Sequence, residues 1–150
     1  MQQQELVEWI RLVDQNHHQS IDIAVRRILS AISERPFSDE DALIDAVIAW
    51  ENLFGHGRNV EMTFRVTTSL AILLENDPAK RIALAKELRD IYSLRSRVAH
   101  GGEVRARDRL GEQRSRSIEV VVEALRVLFR DRQSLVADRD RGIKLIMHSV

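Results

Sequence analysis

The chain has 150 residues, a formal net charge of +0 and no cysteine. That length fits one domain, residues 1–150, able to bury roughly 68–70% of the surface its unfolded chain exposes. The missing thiols exclude disulfides and thiolate metal sites, and the balanced charge excludes a global field steering the chain to nucleic acid or membrane.

The balance conceals an asymmetry. Asp39, Glu40, Asp41 and Asp45 cluster in an acid-rich first part. Residues 95–116 instead carry Arg95, Arg97, Arg105, Arg107, Arg109, Arg114 and Arg116 against Glu103, Asp108 and Glu112. No apolar run reaches membrane-spanning length, and residues 1–10 lack the basic-then-apolar pattern of a secretion signal. A soluble, cytoplasmic protein with no membrane partner is the expectation.

Two prolines and six glycines punctuate the sequence, and its apolar residues recur at helical spacing rather than in strand-like alternation. The expected fold is therefore all-α, a compact bundle of five to seven helices. Leu6, Trp9, Ile10 and Val13 form one stripe on a first helix that ends near residues 16–19. Ser20 is the expected cap of a second, carrying Ala24, Val25, Ile28, Leu29 and Ile32. Arg35, Pro36 and Phe37 break it, because the residue before a proline resists the helical region.

Ser38 opens the clearest helix. Asp41 stands three residues on in capping-box spacing, and three acids favour the positive end of the helix dipole. Leu43, Ile44, Val47, Ile48, Trp50, Leu53 and Phe54 spread over more than one stripe, which marks this helix as central. Glu51 is a carboxylate among those core positions. Gly55, His56 and Gly57 end the helix. The next is expected over about 59–75, with Val60, Phe64, Thr67, Leu70, Ala71 and Leu74 inward. Asn76 stops it, and Asp77 and Pro78 start another as N-cap and first helical residue. That helix carries Ile82, Ala85, Leu88, Ile91 and Tyr92. Gly101 is its natural C′ residue, so Arg95, Arg97 and His100 fall in its last turns. Residues 103–116 read as a loop with at most a short helical piece. Ser117 is the expected cap of a helix bearing Val121, Val122, Leu125, Leu128 and Phe129. Residues 139–142 read as a turn, and 143–147 as a short apolar tail.

Chemistry concentrates in residues 88–102, where an arginine and a histidine stand five positions apart before two glycines. The plain reading is electrostatic: cations in a helix's last turns suit its negative end. On an ideal helix Arg95 and His100 lie about 140° apart, so one chain does not make them converge without distortion or a second subunit. Ser96 and His100 share a face at i and i+4, within reach of a side-chain hydrogen bond.

The run from Tyr92 through Arg95, Val98 and Ala99 to His100 and Gly101 resembles the signature of the HEPN superfamily, in particular its ApeA-like branch. In that branch a tyrosine precedes the arginine by three and an aliphatic pair precedes the histidine. The helix ending in Glu51, Leu53 and Phe54 is similar to the branch as well, so the resemblance covers about 41–130. It implies an all-helical, usually dimeric fold and a metal-independent endoribonuclease that joins two Arg-x4-His motifs across the dimer. It also implies a setting in phage defence or a toxin-like system, with an additional domain or an antitoxin as partner. Ser96 departs from the asparagine, aspartate or histidine that often follows the arginine in active members.

On that resemblance Arg95 and His100 are the catalytic candidates. RNA supplies its own nucleophile, the 2′-hydroxyl. A histidine with an ordinary pKa of about 6.5 can take that proton or protonate the leaving 5′-oxygen. Arg95 can hold the phosphate as its charge grows, and the product is a 2′,3′-cyclic phosphate. Glu51 either orients Arg95 or His100 or forms a structural ion pair. Tyr92 either stacks on a base or, the preferred reading, fills the dimer core. Arg97, Arg105 and Arg107 are candidate RNA contacts, non-specific because no aromatics are interleaved with them. The competing class is a non-catalytic module that dimerises or binds a nucleotide or partner. His17 and His18 read as surface, His56 as near the site if its loop folds back, and His148 as part of the tail. Spacing offers no metal constellation and no phosphate-cradling loop, so neither metal nor other cofactor is expected.

Overall fold

The computed structural model describes residues 3–33, 38–57 and 61–148, and these are all-α, with no strand among them. The helices are α1 (Gln3–Asn16), α2 (Asp22–Ile32), α3 (Asp39–Phe54), α4 (Met62–Leu74), α5 (Pro78–Ala99), α6 (Leu110–Asp131), α7 (Gln133–Val136) and α8 (Arg141–Met147). Two 3₁₀ turns, Gln19–Ile21 and Ala106–Asp108, precede α2 and α6. Six of the helices have 11 residues or more, and α7 and α8 are short. The break expected at Arg35, Pro36 and Phe37, and Val60 with the start of its helix, lie outside the described residues.

α3 is the hub and packs on α2, α4, α5, α6 and α8. The Ser38 hydroxyl accepts from the Asp41 N–H at 3.2 Å, closing its first turn as the sequence requires. Its apolar surface is wide because neighbours surround it: Leu43, Val47, Trp50, Leu53 and Phe54 are all buried. The Trp50 indole donates to the Ser117 carbonyl at 3.0 Å, pinning α3 to α6. One hydrophobic cluster draws on every helix from α2 to α8.

Capping sites follow local chemistry. The Asp77 carboxylate accepts from the Lys80 N–H at 2.9 Å with Pro78 in the first turn of α5. At the other end Gly101, at φ +72°, donates to Val98, and Gly102 donates to the Arg97 carbonyl at 2.8 Å. That pair of reversed hydrogen bonds is a Schellman motif, and it fixes where α5 stops.

Several expectations are corrected. Ser20 caps nothing. His18 caps the 3₁₀ turn instead, its Nδ1 accepting from the Ser20 N–H, while the Ser20 hydroxyl donates to the Val136 carbonyl at 2.8 Å. Half-buried His18 is therefore structural, whereas His17 is exposed and pairs with Asp22. Ser117 is likewise no cap. α6 starts at Leu110, after Arg109 takes the left-handed φ of 51°, so Ser117 sits mid-helix and its hydroxyl turns back to the Arg114 carbonyl. Phe64 is 46% exposed because the buried face of α4 centres on Val66 and Leu70, and Phe64 stands about 160° from Val66. Leu6, Ile10, Val13, Leu29, Ile32 and Ile82 carry the right periodicity yet remain exposed.

Two buried arginines close the bundle around the C-terminal end of α3. Arg65, 1% exposed, donates to the carbonyls of His56 at 2.7 Å and Gly55 at 3.2 Å, satisfying the C-terminal exit of α3. Arg141, also 1% exposed, belongs to α8 rather than to a turn. Its guanidinium donates to the Leu53, Leu135 and Val136 carbonyls and to the Ser20 hydroxyl, all within 2.7–2.8 Å.

Gly142 permits this closure. A Cβ there would lie 2.5 Å from the Phe54 carbonyl oxygen and 3.2 Å from the Ser69 hydroxyl, which itself donates to the Gly142 carbonyl. Backbone cannot yield as a side-chain tip does. Gly142→Ala should therefore cost about 2–3 kcal/mol and lower Tm by roughly 5–10 °C, read by thermal unfolding. An unchanged Tm would show that α8 can lift away from α3 freely.

Candidate functional site

α3 and α5 cross so that three of the singled-out residues meet. Near the end of α3, the Glu51 carboxylate accepts from the Tyr92 hydroxyl through one oxygen and from Arg95 Nη2 at 3.3 Å through the other. The Arg95 guanidinium lies 5.8 Å from the centre of the Tyr92 ring, within cation–π range. Tyr92 and Arg95 are i and i+3 on α5, which is why one carboxylate from a neighbouring helix can grip both.

The cluster borders the surface without being submerged. Tyr92 is buried in the core of its own chain. The side chains of Arg95 and Glu51 remain 20% and 24% exposed. An ion pair so placed adds little stability and chiefly orients the guanidinium. One hydrogen bond to Glu51 also leaves most of the five-donor fork uncommitted, although Nε is buried without a partner among the described residues.

Burial, and then the hydrogen bond to Glu51, push the Tyr92 phenol up to about 12. Tyr92 is the single tyrosine, so ultraviolet absorbance of the phenolate reads it alone. Its midpoint should stand near pH 12 in the native protein. Glu51→Gln should lower it without restoring the ordinary value, because burial is the larger cause. Below about pH 10 both folded and unfolded chains keep the proton. Between about pH 10 and 12 only the folded chain does, so stability falls as pH rises through that window, by about 2–3 kcal/mol in all. A native midpoint at pH 10 would mean that the phenol is open to water.

His100 is separate from this cluster. It is the C-cap of α5, exposed, and its backbone N–H donates to the Ser96 carbonyl at 3.2 Å. Among the described residues its imidazole makes no hydrogen bond or ion pair. The side-chain bond envisaged between Ser96 and His100 is thus a backbone bond. His56 turns to Asp140 at 3.1 Å, away from the motif.

The other candidate arginines are largely engaged. Arg97 pairs with Asp108 at 2.8 Å, and the same carboxylate accepts from the Arg105 N–H, tying α5 to the 3₁₀ turn. The Arg97 side chain, with that backbone bond, holds the Asp108 carboxyl down to about 2, so the clamp persists through the neutral range. Arg105 meets Glu103 at 3.7 Å, Arg109 meets Glu112, Arg114 meets Asp39 and Arg116 meets Glu87. Arg107 alone of the arginines in 95–116 makes no ion pair among the described residues. The basic stretch is therefore mostly a set of surface pairs, a result that its intervening acids foreshadow only in part, since Asp39 and Glu87 come from other helices.

No group of three or more His, Asp or Glu side chains among the described residues is arranged to hold a metal ion, and no helix among them is long and apolar enough to cross a membrane. In class, this is an all-α bundle with a carboxylate-braced arginine and an unengaged histidine at the end of one helix. Compared with protein-family models, curated proteins and solved structures, the chain matches none.

Proposed function

We propose that the chain is a HEPN-like domain that binds RNA as a homodimer and cuts it without a metal ion. The observation that carries this reading is the contrast along α5: Arg95 held half-open at the surface by Glu51 and Tyr92, and His100 exposed and unengaged at the helix end. Five positions apart on one helix, they point about 140° away from each other. Two copies meeting along this end of α5 would set the arginine of one near the histidine of the other.

In that site Arg95 grips the phosphate oxygens while His100 takes the proton from the 2′-hydroxyl. The 2′-oxygen bonds to phosphorus, the bond to the 5′-oxygen breaks, and that oxygen leaves with a proton returned by the His100 imidazolium. The products are a 2′,3′-cyclic phosphate and a 5′-hydroxyl. Glu51 is a positioning residue, setting the plane of the Arg95 fork. Arg107, and Arg97 and Arg105 to the extent their pairs open, add sequence-independent attraction for the backbone. A defence or toxin-like role, with a further domain or antitoxin as partner, accords with such a nuclease.

The second reading, a module that dimerises or binds a partner without catalysis, is favoured by the ion pairs that occupy Arg95 and Arg97. Incubating a mixed RNA pool with the protein in chelator, at a concentration where it is verified to be dimeric, separates the two. Cleavage is expected; intact RNA would favour the module.

A further inference from the structure

A cleft of about 520 Å³ opens at the end of α5 away from the motif. Arg81 borders it, and at 1.5 Å per residue Arg81 stands about 21 Å along the helix from Arg95. Its volume falls in the range of pockets that enclose small molecules. We propose that this cleft binds a small organic anion: a compact apolar body carrying one phosphate or carboxylate group.

The case rests on which polar groups there are already used. Three helices, α4, α6 and α8, end at the cleft, and helix ends attract cations for their own sake. That accounts for Arg81, whose Nε donates to the Glu75 carbonyl at 2.9 Å and whose Nη2 donates to that of Asn76. Lys144 is paired with Asp138, the one acid in the lining. Arg132 and His148 are different. Both line the cleft, both are exposed, and neither side chain has a hydrogen bond or ion pair among the described residues.

Between them lies apolar surface. Ile72 and Leu135 are half-buried and Leu145 is 8% exposed, all three in the lining. A cleft with an apolar wall and a few unspent donors selects a ligand with both features. The planar guanidinium of Arg132 accepts a phosphate or a carboxylate through two parallel hydrogen bonds. The neutral Ser134 hydroxyl, also in the lining, is a further donor. A bare inorganic ion would leave the apolar wall wet, and a neutral hydrocarbon would leave the donors unanswered.

Titration calorimetry of the whole chain with phenyl phosphate, benzoate and inorganic phosphate tests this. At least one organic anion should bind with a Kd of about 1 mM or tighter, and about tenfold tighter than inorganic phosphate. Binding by phenyl phosphate alone assigns a phosphate group to the ligand, and binding by benzoate alone a carboxylate. Arg132→Gln, at an exposed position, should weaken it about tenfold, whereas Arg26→Gln on α2 should leave it unchanged. The His148 ring resonances should shift on addition. Failure of both organic anions to bind, equal affinity for inorganic phosphate, or indifference to Arg132→Gln would overturn the proposal. None of these outcomes bears on RNA cleavage, which depends on the other end of α5.

Discussion

Arg141→Met should destabilise the protein by about 3–5 kcal/mol, although methionine roughly fills the space of the arginine stem. The reason is what arginine leaves behind. The Leu53 carbonyl loses its donor in the interior. The carbonyls of Leu135 and Val136 and the Ser20 hydroxyl lose a charged donor, the two carbonyls keeping the Asp138 N–H and the Ser20 hydroxyl respectively. Each unanswered buried acceptor costs about 1–3 kcal/mol. Against this stands the relief of no longer burying a cation whose guanidinium, by the same burial, is pushed below the ordinary arginine value. The relief is partial, since carbonyl dipoles already solvate the charge. Arg141→Lys should recover less than half of the loss, because an ammonium on a flexible stem cannot reproduce a planar fork spanning α3, α7 and the first 3₁₀ turn. Urea unfolding followed by circular dichroism gives the numbers. With total stability in the usual range of about 5–15 kcal/mol, the methionine variant stands near the edge of folding at 37 °C. Stability equal to wild type would mean that the carbonyls find water instead.

The second large effect concerns the proposed chemistry. His100→Ala should lower RNA cleavage by about 10²–10⁴-fold, the usual contribution of a positioned acid–base group. Because His100 is exposed and without a side-chain partner among the described residues, the fold should be unaffected, with Tm unchanged. Arg95→Ala should lower cleavage by about 10²–10³-fold, the scale seen when a donor to a developing negative charge is removed. Here stability is a second readout. Losing Arg95 leaves Glu51 held by Tyr92 alone, so a modest fall in Tm is expected. Loss of activity in the histidine variant with an intact fold separates catalysis from scaffolding. If instead both variants keep full activity, the Arg-x4-His spacing serves structure.

The two ends of α5 show how much the sequence discloses. Asp77, Pro78 and Gly101 act through partners one turn away, so spacing alone reveals them. The same holds for Ser38 on α3. Arg65 and Arg141 are illegible for the opposite reason. Composition assigns arginine to the surface, and the Arg141 partners Leu53 and Ser20 lie 88 and 121 residues away in sequence. Periodicity marks α1 as amphipathic, but it does not report whether a stripe is covered; Trp9 packs with Arg130 over its ring, while Ile10 beside it is 53% exposed. The late start placed at Ser117 arose because the first turns of α6 present glutamine and arginine where a stripe would show leucine. At the site, a carboxylate amid core residues singled out Glu51, and a helix crossing invisible to spacing joined it to Tyr92 and Arg95.

The most direct measurement is end-group analysis of RNA incubated with wild type and His100→Ala in chelator. Fragments ending in 2′,3′-cyclic phosphate from the wild type, and none above background from the variant, are the expected result. Fragments with 5′-phosphate and 3′-hydroxyl ends, or cyclic ends formed equally by both proteins, would contradict a site in which His100 moves the proton of the 2′-hydroxyl.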